Sequence, residues 1–194
     1  MQAALKEEEK NHYTYADYLE WDTDERYEII DGEAYMMSAP TVSHQTISGE
    51  LFGQVWNFLR DKPCRVFAAP LDVRLFPEED QRDDTVVQPD IVVVCDESKL
   101  ADNRSCRGAP DLVIEILSPS NTGSLMFLKF QKYLQAGVRE YWVVNPETGE
   151  VQVHVLDEER PGRYISTAYD AAKTIDAAVL PGLKIDFTGI WSAL

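Results

Sequence analysis

Two short runs constrain this chain more than anything else in it: "TVVQPDIVVVC" (85–95) and "DLVIEILSPS" (111–120). Both are dominated by Val, Ile and Leu, and the second closes on Ser-Pro-Ser. Runs of this length and β-branched content predict strands buried on both faces, which requires a sheet covered by other elements on each side. Each run also carries one internal acid, Asp90 in the first and Glu115 in the second. An ionised carboxylate in such a setting costs several kcal/mol unless a cation or hydrogen-bond donors meet it. The rest of the sequence therefore has to supply both the cover and the partners.

The cover is legible in the flanking segments. "YTYADYLEW" (13–21) predicts a short helix, and "RYEIIDGEAYMMS" (26–38) a hairpin turning at Asp31-Gly32. In "SHQTISGELFGQVWNFLR" (43–60), Ile47, Leu51, Val55 and Phe58 recur at helical spacing, and Ser43 is placed to cap the start. At about 100° per residue His44 falls in that apolar stripe, so it faces inward. "CRVFAAPLDVRLF" (64–76) predicts a strand region, followed by an acidic loop, the 85–95 strand and a polar loop over 96–109. "NTGSLMFLKFQKYLQAG" predicts a helix stopped at Gly137. "REYWVVNPETGEVQVHVLD" predicts two strands joined across Pro146–Gly149, and "GRYISTAYD" one more. The order predicts a mixed α/β sheet sandwich in a single domain over 1–194, with 1–11 a flexible, charged start.

Composition excludes several classes. No apolar run approaches the roughly 20 residues that span a bilayer, and the polar, acidic start lacks the apolar core of a signal peptide. Cys64, Cys95 and Cys106 are odd in number and have no close paired spacing. They suggest neither a disulfide framework nor a zinc site, and Cys95 is expected to be a buried thiol in a reducing cytoplasm. With 34 acidic against 18 basic residues the net charge is −16, which argues against a sequence-blind nucleic-acid binder held by a basic surface. A site whose acids are neutralised by a divalent ion is compatible with that charge.

If the two acid-bearing strands are neighbours, Asp90 and Glu115 come together at one end of the sheet. Close carboxylates in an apolar setting raise at least one pKa, and a hard divalent cation, Mg²⁺ or Mn²⁺, relieves the repulsion. Lys129 shares a helix face with Leu125, Met126, Lys132 and Tyr133, and a lysine facing inward needs an anion. Two readings stay open at this point: a catalytic lysine beside a metal, or a buried Lys129–Glu115 ion pair that fastens the helix. His44 reads equally as a satisfied core histidine, and Tyr133 as packing.

The segments "YEIIDGE", "SHQTISGELF", "APLDVRL", "VVQPDIVVV", "GAPDLVIEILSPS" and "KYLQAGVREYWVVNP" resemble, in this order, the Uma-type endonuclease family of the PD-(D/E)XK superfamily. The resemblance spans roughly residues 13–190. It implies a restriction-endonuclease-like αβββαβ core with an N-terminal hairpin and C-terminal strands, and a Mg²⁺- or Mn²⁺-dependent site that hydrolyses DNA. It also implies metal ligands at Asp90 and Glu115, a catalytic lysine at Lys129 supplied from the following helix, and supporting roles for Glu28 and His44. The superfamily's usual lysine position, two residues after the second acid, is Leu117 here. Family members often carry an aspartate four residues before the helix lysine, and here that position is Leu125. With Phe127, Phe130 and Leu134 this leaves the helix apolar around much of its circumference, which predicts a homodimer or higher homo-oligomer contact. The competing expectation is a catalytically inactive module that kept the fold for binding or regulation. A glycosidase pair of carboxylates is the weakest reading, because no aromatic-lined sugar cleft is discernible.

Overall fold

The computed structural model describes residues 12–118, 123–170 and 173–192. The proposed flexible start at 1–11 therefore lies outside the described residues. In chain order the elements are α1 (Tyr15–Tyr18), β1 (Tyr27–Ile30), β2 (Glu33–Met36), α2 (Val42–Leu59), β3 (Arg65–Ala68), β4 (Asp72–Arg74), β5 (Val86–Val87) and β6 (Ile91–Val94). A 3₁₀ turn (Glu97–Leu100) leads to β7 (Ser105–Arg107), β8 (Leu112–Ile116), α3 (Gly123–Ala136), β9 (Glu140–Val144), β10 (Val151–Leu156), β11 (Tyr164–Tyr169), β12 (Thr174–Asp176), β13 (Lys184–Asp186) and α4 (Thr188–Ser192).

Six strands form the central sheet in the order β11-β10-β9-β8-β6-β3. The run α2, β3, β6, β8, α3, β9 supplies the αβββαβ core, with α3 carrying the chain between the parallel strands β8 and β9. All of β6 and all of β8 are buried, because alternate side chains enter different cores. Ile91, Val93, Leu112, Ile114 and Ile116 pack with Ile47, Leu51 and Val55 of α2. Val92, Val94 and Val113 pack with Tyr133 of α3 and with Ile30, Val73 and Val87 of the second sheet. By the same alternation Glu115 belongs with Val113, on the face that α3 covers.

The second sheet, β2-β1-β5-β4-β7, begins with the expected hairpin. Asp31 and Gly32 both have positive φ, 52° and 77°, as the tight turn between paired Ile30 and Glu33 requires. Three local expectations are corrected. The 85–95 run is not one strand: Val86–Val87 pairs in the second sheet and Ile91–Val94 in the central one. The break falls at Gln88-Pro89-Asp90, where proline removes a ladder donor. The cap of α2 is Thr41, whose hydroxyl accepts from the His44 N–H at 3.2 Å, and not Ser43. The short helix expected over 13–21 is present but spans only Tyr15–Tyr18, capped by Thr14.

The cysteines are the larger correction. Cys64 and Cys95 form a disulfide with Cα atoms 3.9 Å apart, and the buried thiol is Cys106. The cause is the antiparallel register of β3 and β6. Arg65 pairs with Val94, so the next position outward sets Cys64 opposite Cys95. The apolar circumference of α3 is mostly spent inside the fold. Leu125, Met126, Leu128 and Phe130 pack half-buried against the second core, while Phe127 stays 60 % exposed. Among the described residues, no helix is long and apolar enough to cross a membrane.

Candidate active site

The break at Pro89 sets Asp90 at the very start of β6. Because Ile91 pairs with Ile114 across the antiparallel β6–β8 ladder, one step further brings Asp90 level with Glu115. Asp90 Oδ2 accepts the Ile116 backbone N–H at 2.7 Å. Two acids distant in sequence are thereby fixed side by side at one end of two neighbouring inner strands.

Two side chains contact Glu115, which is 5 % exposed. Lys129 Nζ lies 2.5 Å from Glu115 Oε1 and 2.8 Å from Glu28 Oε1, and Tyr133 donates its hydroxyl proton to Glu115 Oε1 at 2.6 Å. Glu28 reaches Lys129 from β1 and also accepts the Gln88 backbone N–H at 2.8 Å. On the far side, His44 Nε2 of α2 lies 3.2 Å from Asp90 Oδ2, and its buried Nδ1 has no partner among the described residues. Glu28, His44, Asp90, Glu115 and Lys129 all line one cleft of about 180 Å³. The five residues singled out from the sequence are thus brought together.

Burial among aliphatic side chains pushes the Glu115 carboxyl up to about 7. The Lys129 ammonium opposes that rise, while the charges of Glu28 and Asp90 add to it. Burial pulls the Lys129 ammonium down, but Glu115 and Glu28 outweigh it and hold its pKa above the ordinary lysine value. His44 also lies above its ordinary value: burial lowers it, and the hydrogen bond and charge of Asp90 more than compensate. Burial and the neighbouring Glu115 raise the Tyr133 hydroxyl, so it remains a donor. Tyr133, expected as packing, is therefore a polar contact of Glu115.

Would these residues suit a divalent cation? Among the described residues, no three His, Cys, Asp or Glu side chains form a ready cage. The bonds above engage Oδ2 of Asp90 and Oε1 of Glu115, and the other oxygen of each cleft-lining carboxylate has no partner among the described residues. Two hard oxygens beside open space suit Mg²⁺, which keeps several waters and takes one or two carboxylates plus substrate phosphate. The donor set fits such an ion and does not resemble a zinc site.

Sequence reasoning passed over Arg26 and Gln88, which also line the cleft. They stand beside the "YE" and "PD" motifs, and proximity to those motifs was the only available signal. Leu125, where the resemblance led to the expectation of an aspartate, lines the cleft too.

Comparison with known proteins gives three findings. A family described as "Uma2: Putative restriction endonuclease" matches residues 15–188. The uncharacterized protein slr1290 of Synechocystis sp. is 25 % identical over 165 residues, covering 82 % of each chain. A crystal structure of a "putative nuclease belonging to DUF820" from Anabaena variabilis superposes with a TM-score of 0.72 at 22 % identity, covering 93 % of this chain and 98 % of that one. That similarity establishes the restriction-endonuclease-like fold.

Proposed function

The chain belongs to the Uma2 family, and from that premise we propose that its cleft is a divalent-metal-dependent endonuclease site that hydrolyses DNA phosphodiester bonds. The observation that carries the reading is the meeting of Asp90, Glu115 and Lys129 in one cleft, with the Glu115 carboxyl raised to about 7. A buried carboxylate with a raised pKa, set beside a second acid and a lysine in a cleft, is an arrangement that metal-assisted hydrolases use.

Asp90 and Glu115 would hold Mg²⁺ or Mn²⁺ through their unengaged oxygens. When bound, such an ion supplies an acidified water and Lewis-acid stabilisation of phosphoryl oxygens. His44 fixes the orientation of Asp90 from 3.2 Å, and Tyr133 fixes that of Glu115 from 2.6 Å. Lys129, kept cationic by Glu28 and Glu115, offsets negative charge as it grows on the scissile phosphate. Glu28 holds that ammonium in place. We assign the homo-oligomer contact to the face of α3 that carries exposed Phe127.

One observation favours the second reading, an inactive binding module: Lys129 is already satisfied by two carboxylates, as a structural pin would be. Release of fragments from duplex and single-stranded DNA, with Mn²⁺ and again with the metal chelated, tests the proposal. Metal-dependent release that Asp90→Asn abolishes supports it. Intact DNA under every condition favours the module.

A further inference from the structure

The cleft is lined by two cations, Arg26 and Lys129, and their circumstances are opposite. Lys129 is neutralised by Glu28 and Glu115. Arg26 makes no ion pair with any described carboxylate. Its Nε donates to the neutral Oε1 of Gln88 at 2.9 Å. Its Nη2 is shut away from solvent with no acceptor among the described residues.

The surroundings show that Arg26 is held in place on purpose. Its backbone carbonyl accepts the Met37 N–H at 2.8 Å, so the β1–β2 hairpin fixes the main chain. Gln88 is 3 % exposed and its amide has one workable orientation. Nε2 donates to Asp72 Oδ1 at 2.8 Å and to the Tyr18 hydroxyl at 3.0 Å, which turns Oε1 toward Arg26. Asp72 is itself steadied by the Tyr15 hydroxyl at 3.3 Å. Four polar residues that the catalytic reading leaves unused, Tyr15, Tyr18, Asp72 and Gln88, thus form a chain of contacts that ends on this guanidinium. The same Gln88 gives its backbone N–H to Glu28, the partner of Lys129. Arg26 is therefore set in fixed relation to the proposed reaction centre through one residue.

We propose that Arg26 is the phosphate anchor of the cleft: the part of its guanidinium that lines the cleft takes an oxygen of the DNA backbone adjoining the scissile phosphate. The inference rests on the nuclease reading and names the group that draws a polyanion into a protein of net charge −16. A guanidinium oriented by Gln88 and lining the cleft without an ion partner among the described residues is the kind of group that makes a charge-assisted contact to a phosphate oxygen. It does not replace Lys129. Lys129 serves the phosphate that reacts, and Arg26 holds a neighbour.

The test is cleavage kinetics of a fluorescein-labelled DNA duplex in Mn²⁺ across a series of KCl concentrations, for wild type, Arg26→Met and Arg26→Lys. Loss of one charge-assisted phosphate contact raises KM about ten- to a hundredfold in Arg26→Met while kcat is largely retained. It also lowers the slope of log KM against log salt by about 1. Arg26→Lys keeps the slope, because the charge remains, and shows an intermediate KM. If Arg26→Met matches wild type in KM and slope, the anchor is overturned and the nuclease reading stands. If KM rises with an unchanged slope and a lowered melting temperature, Arg26 is structural and the proposal falls. If wild type cleaves no DNA under any of these conditions, the nuclease reading fails first and takes the anchor with it.

Discussion

Lys129→Met is the most informative single perturbation of this fold. The ammonium is buried and serves two buried carboxylates, Glu28 at 2.8 Å and Glu115 at 2.5 Å. Methionine keeps the volume and deletes the charge, so both acids lose their counterion at once. Removing one partner of a buried pair costs about 3–5 kcal/mol. For a chain of this size each kcal/mol is worth about 2–4 °C, so melting should fall by about 6–20 °C. The loss depends on pH, with a definite sign. Folding raises the Glu115 pKa from 4.5 to about 7, so the folded protein holds this proton more tightly than the unfolded chain. The group's contribution to stability is therefore fully present below about pH 4.5 and is lost as pH rises through 7. Deleting Lys129 raises that pKa further and extends the loss to higher pH. Scanning calorimetry near pH 5 and near pH 8 should then show a gap between wild type and variant that is wider at the higher pH. Adding Glu28→Gln to Lys129→Met should recover part of it, since one stranded charge is gone. A gap of under about 2 °C, or one equal at both pH values, would refute the reasoning.

The other expectations follow from the same geometry. A cation must displace the Glu115 proton, so Mn²⁺ affinity should rise about tenfold per pH unit up to about 7 and then level off. Calorimetry in two buffers of unlike ionisation enthalpy would register the released proton, and a flat profile would contradict it. His44→Ala, which removes the contact to Asp90 Oδ2, should lower Mn²⁺ affinity or cleavage about 10–100-fold with little change in secondary structure by circular dichroism. Reducing the Cys64–Cys95 bridge opens a loop with a sequence separation of 31 and should lower unfolding stability by about 3–4 kcal/mol. Denaturant midpoints with and without reductant measure it, and coincident curves would show that the bridge contributes nothing.

What the sequence disclosed and what it withheld divide along the range of the interactions. The β8 strand, the Asp31-Gly32 hairpin, the inward face of α2 with His44 and the stop of α3 at Gly137 rest on neighbours a few residues apart, and local patterning reveals them. The split of 85–95 between two sheets was signalled by Pro89 but hidden by the apolar run on either side. The disulfide depends on the β3–β6 register, which no spacing of cysteines in one chain reports. The same is true within the site. Asp90, Glu115 and Lys129 stood out because charge interrupts apolar patterns. Tyr133 and Gln88 did not, because an aromatic on an apolar helix face and an amide before a proline are unremarkable until their hydrogen-bond partners are known. The residues alone implied a mixed α/β sandwich with Lys129 facing Glu115; the resemblance to the Uma-type family supplied the αβββαβ topology and pointed to a catalytic lysine over a structural pair.

The most direct test of the central claim is nicking of supercoiled plasmid in Mg²⁺ or Mn²⁺ by wild type and by Glu115→Ala, prepared identically. Wild type is expected to convert the plasmid to open-circular DNA in a metal-dependent way and the variant to lose that activity, because the alanine removes both the proposed metal oxygen and the anion that holds Lys129. Equal nicking by the two proteins would place the activity elsewhere and contradict the assignment of Glu115.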